Sequence, residues 1–207
     1  MAEEVQAVLD RMVPALNDLQ DRGVFAKEEI HAIVDRRRLS EYAIRRREPR
    51  KADFFRYLQQ EMDLEKLRQL RVKRIAREEG NKPHFEDHKK SKHIGAAHII
   101  AHLHIIWKRT IRRFKSDVEV YLKYAAFCKE IHAHRALSSV YGEALRIHPT
   151  VADLWIEAAS HEFFAAGSVQ NARVLFQRGL RIHPTQQNMW LQFFALELHF
   201  ATKMIGR

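Results

Sequence analysis

The hexapeptide Leu145-Arg146-Ile147-His148-Pro149-Thr150 returns unchanged as Leu180-Arg181-Ile182-His183-Pro184-Thr185, thirty-five residues on. A chain that repeats itself at this period folds as stacked copies of one small unit, because each copy must bury the same residues in the same way. The match extends well past the hexapeptide. Trp155 recurs as Trp190, Glu162 as Glu197 and Tyr141 as Phe176. A weaker copy precedes them: Trp107 leads Tyr141 by thirty-four residues, Ile111 leads Leu145, Phe114 leads His148 and Tyr121 leads Trp155, while Lys115 takes the place of Pro149.

Within a unit the apolar residues keep helical spacing on both sides of the proline. Ala172, Leu175, Phe176 and Leu180 have three- and four-residue spacing before Pro184, and Trp190, Phe193, Phe194 and Leu198 repeat it afterwards. Proline cannot continue a helix interior but suits the loop that opens the next helix. Each unit is therefore predicted to be a helix pair, and a pair alone cannot bury both of its apolar stripes. Neighbouring pairs must stack into an α-solenoid, which makes Trp155 and Trp190 expected core residues.

Composition agrees with an all-α chain, since Gly and Pro number only 7 and 5 and the residues least costly in a helix dominate. The 36 Lys plus Arg against 26 Asp plus Glu leave a formal charge of +10, which favours partners rich in phosphate or carboxylate. Cys128 is the only cysteine, so an intrachain disulfide and a thiolate-rich metal site are excluded. No run approaches the roughly 20 apolar residues of a spanning helix, and residues 1–20 lack the layout of a secretory signal. A nuclear or cytosolic protein with no membrane partner is expected.

A period of about thirty-four residues also suits a tetratricopeptide array. Residue types decide between the two. Leu154-Trp155 with Glu162, then Ala172-Arg173 through Arg178-Gly179-Leu180 and Pro184, resembles the half-a-TPR (HAT) pattern. That resemblance implies a scaffold in RNA-processing assemblies.

Upstream, three helices are predicted near 3–20, 27–47 and 51–79, with joints at Gly23 and Pro49. The order of features resembles a known family: Arg11-Met12, Gly23-Val24-Phe25, Glu29-Ile30, Ile33-Val34, the Arg36–Arg38 run and Glu41-Tyr42, followed by Asp53-Phe54, Tyr57, Glu61, Leu64-Glu65, Leu67-Arg68 and Arg71 to Arg74. These are similar to the opening and signature of the sixth U-three small nucleolar RNA-associated protein family. Residue patterns divide the chain into a helical N-terminal domain at 1–80, a polar basic spacer at 81–93 and about three HAT repeats at 94–207. The resemblance implies a non-catalytic subunit of the UtpB module of the small-subunit processome. Such a subunit would be nucleolar, would contact WD-repeat propeller proteins, and would serve U-three snoRNA and the pre-ribosomal RNA particle. Rival readings are a HAT scaffold of spliceosomal or messenger-RNA 3′-end factors, and a direct RNA-binding protein.

Two basic clusters are candidate partner or RNA faces. Arg36, Arg37 and Arg38 lie nine residues before Arg45, Arg46 and Arg47, about two and a half turns, with Arg50 nearby. Lys108, Arg109, Arg112 and Arg113, with Lys115, form the second. A solvated or acid-contacting face competes with RNA contact, and stacking aromatics are not evident among these residues. His98, His102 and His104 lack the His-Glu-x-x-His arrangement of a zinc site. His148 and His183 read as loop or cap residues, and Cys128 as a buried apolar one. No glycine-rich phosphate loop or nucleophile turn is present, so neither enzyme chemistry, a cofactor nor a small-molecule substrate is expected.

Overall fold

The structure, a computed structural model, describes residues 2–79 and 96–205. The spacer expected at 81–93 lies outside them. Every regular element among the described residues is an α-helix: α1 Ala2–Asp10, α2 Val13–Asp21, α3 Lys27–Ile44, α4 Lys51–Glu79, α5 Ala96–Arg113, α6 Val118–Glu130, α7 His134–Ile147, α8 Ala152–Phe164, α9 Val169–Ile182 and α10 Gln187–Ile205. The chain divides into two compact units, Met1–Arg112 and Arg113–Arg207. This division falls inside the first expected repeat, after Trp107 and before Tyr121.

In the first unit the helix expected at 3–20 is broken into α1 and α2. Pro14 sits in the first turn of α2; lacking an N–H, it cannot donate to the carbonyl of Asp10, and α1 stops there. The apolar face survives the break, since Val5, Leu9, Met12, Leu16 and Leu19 are all buried at three- and four-residue spacing. Gly23 closes α2 with φ of 69°, a conformation costly for any residue with a Cβ. The carboxylate of Glu29 then accepts from the backbone N–H of Ala26 at 2.9 Å, satisfying one orphan donor at the start of α3. α3 packs on α1, α2 and α4, and Ile30, Ile33, Phe54, Tyr57 and Leu58 fill the space between.

In the second unit each helix packs on its neighbours in sequence, and α8 also meets α10. Tyr121, Cys128, Leu137, Tyr141, Leu154, Trp155, Phe176, Leu180 and Met189 are buried there, each large apolar side chain contributing about 1.5–3 kcal/mol relative to exposure. Trp155 is covered closely: a Cβ placed on Gly179 of α9 would lie 3.1 Å from Trp155 Cβ and 3.0 Å from Met189 Sδ. Trp190, expected in the core, is 52% exposed. The face of α10 that corresponds to the covered face of α8 has no helix over it among the described residues.

Candidate partner interface

The repeat positions named from sequence carry equivalent hydrogen bonds. Trp155 Nε1 donates to the carbonyl of Pro149 at 2.9 Å, and Trp190 Nε1 to that of Pro184 at 2.9 Å. The prolines thus end one helix and offer the carbonyl that holds the first tryptophan of the next. Glu162 accepts from Ser138 Oγ at 2.8 Å, while Glu197 takes Arg173 through two bonds of 2.7 and 2.6 Å. Ser138 and Arg173 are themselves thirty-five residues apart, so each glutamate ties its helix to the same position of the helix before it.

His148 and His183 follow the same rule. Each ends its helix with a backbone N–H to a carbonyl one turn back, Ala144 and Gly179, at 2.8 Å. Their rings reach to the preceding copy, His148 Nε2 lying 2.8 Å from the Lys115 carbonyl and His183 Nε2 3.1 Å from the Pro149 carbonyl. Lys115 occupies the proline position of the weak copy, so the bond survives where the proline does not. Only the backbone oxygen is required.

Two surfaces of the second unit are open and apolar. A cleft of about 270 Å³ between α7, α8 and α9 is lined by Tyr141, Gly142, Leu145, Val174 and Leu175, with Glu162 and Asn171 as polar members. On α10, Trp190, Leu191, Phe194 and Leu198 are each more than half exposed, and their spacing places them along one face. Sequence reasoning placed Trp190 in the core and gave no sign of the cleft.

The basic clusters do not behave as runs. Arg37 leaves the candidate face altogether: it is 1% exposed and meets Glu61 of α4 through two bonds of 2.7 Å. Consecutive residues on a helix point about 100° apart, which turns Arg37 inward while Arg36 and Arg38 stay outside. Arg45 and Arg109 are also withdrawn, because both converge on buried Glu41, at 3.1 and 2.9 Å, and Arg45 reaches Glu4 at 2.8 Å. Arg36, Arg38, Arg46, Arg47, Arg50, Lys108, Arg112 and Arg113 remain exposed, with Arg38 paired to Asp35.

The signature on α4 is a polar row, buried from Tyr57 to Arg68 and half-exposed at Arg71. Tyr57 meets His102 of α5 at 2.7 Å, Glu61 meets Arg37, Glu65 meets Arg68 at 2.7 Å, and Arg71 meets Glu29 at 2.6 Å. Burial, then the neighbouring charge of Arg37, pushes the His102 imidazole down to about 3, and burial with Glu61 raises the Tyr57 phenol. Both groups are therefore neutral, and the hydrogen bond between the Tyr57 hydroxyl and His102 Nε2 joins two uncharged partners. The Arg71 guanidinium and the Ala26 N–H hold Glu29 down at about 2. Burial pushes the Cys128 thiol up to about 11, far from a reactive thiolate.

The family described as U3 small nucleolar RNA-associated protein 6 matches residues 9–100, the stretch that contains this row. The protein of that name in Schizosaccharomyces pombe is 32% identical over 207 residues, which is 100% of this chain and 40% of that protein. Its Homo sapiens homolog is 34% identical over 204 residues, 99% of this chain and 32% of its own length. The chain belongs to this family. A Dictyostelium discoideum homolog is 25% identical over 200 residues, so the similarity persists at greater divergence. The chain spans well under half the length of the relatives it matches, 40% and 32% of the first two. Within the matched stretch lie the buried hydrogen-bonding residues Arg37, Glu41, Tyr57, Glu61, Glu65 and Arg68.

Proposed function

We propose that the chain is a non-catalytic helical scaffold that joins the particle formed around U3 small nucleolar RNA, and that it supports pre-ribosomal RNA processing and small-subunit assembly in the nucleolus. The observation that carries this reading is similarity over the whole chain to proteins named for association with that RNA. Two features support a scaffold. The repeat positions are occupied by structural bonds in which proline carbonyls accept from tryptophan and histidine, and the open surfaces of the second unit are apolar. We assign those repeats to the HAT type and the partners to other subunits of a UtpB-type module, WD-repeat propellers among them. Buried apolar anchors would supply the affinity of such contacts, and surface charge would steer association.

Affinity purification of the tagged chain at moderate salt, with and without RNase, tests the reading. Recovery of propeller subunits despite RNase, with U3 RNA and pre-ribosomal RNA reduced, supports it. Recovery of splicing or 3′-end cleavage factors instead, or of no stable partner, overturns it.

A further inference from the structure

A scaffold can be held in such a particle by protein contacts alone, so the arginines left outside the ion-pair network of the first unit pose a separate question. The structure brings them together although the sequence separates them. Glu41 binds Arg45, at the end of α3, and Arg109, in the last turns of α5, at 3.1 and 2.9 Å. The rings of Phe55 and Trp107 lie 6.2 Å apart, which sets the first turn of α4, directly after Arg50, beside the turn that carries Lys108. The end of α3, the loop into α4 and the end of α5 thus meet around one carboxylate. That carboxylate is buried and already shared.

We propose that Arg46, Arg47, Arg50, Lys108 and Arg112, with Tyr42 at their edge, form a binding site for the phosphate backbone of single-stranded RNA. The five cations are exposed and make no ion pair among the described residues. The carboxylates on the same segments are Glu48 and Asp53, and Asp53 is paired with Arg56 at 3.6 Å. Five positive charges against Glu48 leave a surplus of four. Glu4, Glu41 and Glu61 balance Arg37, Arg45 and Arg109, and no ion pair among the described residues does the same for the five outer cations.

Three features favour RNA over an acidic protein. Four of the five cations are guanidiniums, whose planar fork takes phosphate oxygens in pairs. Tyr42 is 38% exposed and lies one helical turn after Arg38, two residues before α3 ends and the chain turns toward Arg46, so its ring offers a base a flat face, which a single strand can use and a duplex cannot. Apolar anchors of the kind a protein interface depends on share one face of α10 and line the α7–α9 cleft of the other unit, whereas the first unit exposes Leu39, Leu70 and Ile105 on three different helices. The inference rests on the scaffold reading only for which RNA is met.

The test is fluorescence anisotropy of the whole chain with a labelled, unstructured RNA of about 20 nucleotides, long enough to span several phosphate contacts, over a series of salt concentrations. R46Q/R47Q/R112Q is expected to weaken binding about tenfold at moderate salt and to reduce the log–log salt slope by about 2, three contacts at about 0.7 each. R146Q/R178Q/R181Q removes the same charge from exposed positions of the second unit and should stay within about twofold, since non-local charge acts weakly through salt. Y42A should weaken binding about fivefold or more at an unchanged slope, as loss of a stacked base does. Equal losses in the two triple variants, polyglutamate competing as well as RNA per unit charge, or no RNA binding by the wild type would each overturn the proposal. If the wild type binds no RNA while propeller subunits are still recovered, this site falls and the scaffold stands. Patch-dependent binding with splicing factors recovered gives the reverse.

Discussion

At the centre of the first unit stand two arginines and three glutamates, Arg37, Arg68, Glu41, Glu61 and Glu65, each 5% exposed or less. In the second unit the comparable positions are Tyr121, Trp155, Ala159, Phe176 and Met189. The contrast concerns how each interior is specified. An apolar repeat tolerates exchange of one large side chain for another, and its stability adds up from copy to copy. A buried ion pair gains little net free energy over an apolar pair, yet it punishes every arrangement that leaves one partner alone. The first unit therefore has one acceptable register of α3 on α4, whereas the second has a register that recurs.

Removing one partner of the buried pair should have the largest effect. Arg37→Ala strands the Glu61 carboxylate and is expected to cost about 3–5 kcal/mol, read from urea unfolding of the first unit. The double variant Arg37→Met with Glu61→Leu should recover most of that loss. A single-variant cost below about 1 kcal/mol would mean that water reaches the pair and that the interior is not the closed one described. In the second unit the matching experiment compares two tryptophans that sequence treats alike. Trp155→Ala should cost about 3–5 kcal/mol by leaving a cavity, and Trp190→Ala well under half as much, because half of its surface is already in water. Equal costs would show that the α10 face is covered in solution, and sedimentation would then reveal self-association.

Acid should separate the units next. His102 titrates at about 3 in the folded chain and near 6.5 when unfolded, so the unfolded chain binds the extra proton throughout that interval. Its contribution is complete above the unfolded value and shrinks as pH falls toward the folded one, by about 2 kcal/mol at pH 5. Glu29, held at about 2, changes stability only below the ordinary carboxylate range and does not interfere. His102→Gln keeps a hydrogen-bonding partner for Tyr57 and should flatten the loss of first-unit stability between pH 7 and 5. It removes only part of the slope, because burial lowers His98 and His104 as well. An unchanged slope would place the proton elsewhere.

The same contrast sets how far the sequence could be read. The helix pairs, the proline joints and the pairing of Trp155 with Trp190 were legible because a repeat supplies its own second measurement. The Trp155 and His183 bonds to Pro149 were not, since a carbonyl carries no mark in a sequence. In the first unit the helices were legible from spacing, but the fate of each arginine was not: Arg36, Arg37 and Arg38 are identical letters on three sides of a helix. The signal that could have found Arg37 lay on α4, where Tyr57, Glu61, Glu65 and Arg68 recur every three to four residues. That is a polar stripe on the face that Phe54 and Leu58 show to be buried. The break at Pro14 was legible too, and was lost because the apolar spacing runs through it.

The smallest predicted effects lie in two helical glycines of the second unit that sequence would treat as interchangeable. Both give up about 1 kcal/mol of helix propensity relative to alanine. Gly179 lets α9 come down on Trp155, and its new Cβ would sit 3.1 Å from Cβ and Cγ of that indole, with Met189 Sδ at 3.0 Å. The sulfur can swing away, but the Trp155 Cβ is fixed to α8. Gly179→Ala should therefore be net destabilising by about 1 kcal/mol, the overpacking exceeding the helix gain. Gly142 has nothing within 4 Å of a Cβ and lines the cleft. Gly142→Ala should stabilise by about 0.5–1 kcal/mol, measured by thermal or urea unfolding of the whole chain. If the same substitution also lowers recovery of protein partners while the fold gains stability, the cleft is occupied in the assembly, and the glycine is there for what enters it rather than for the helix it weakens.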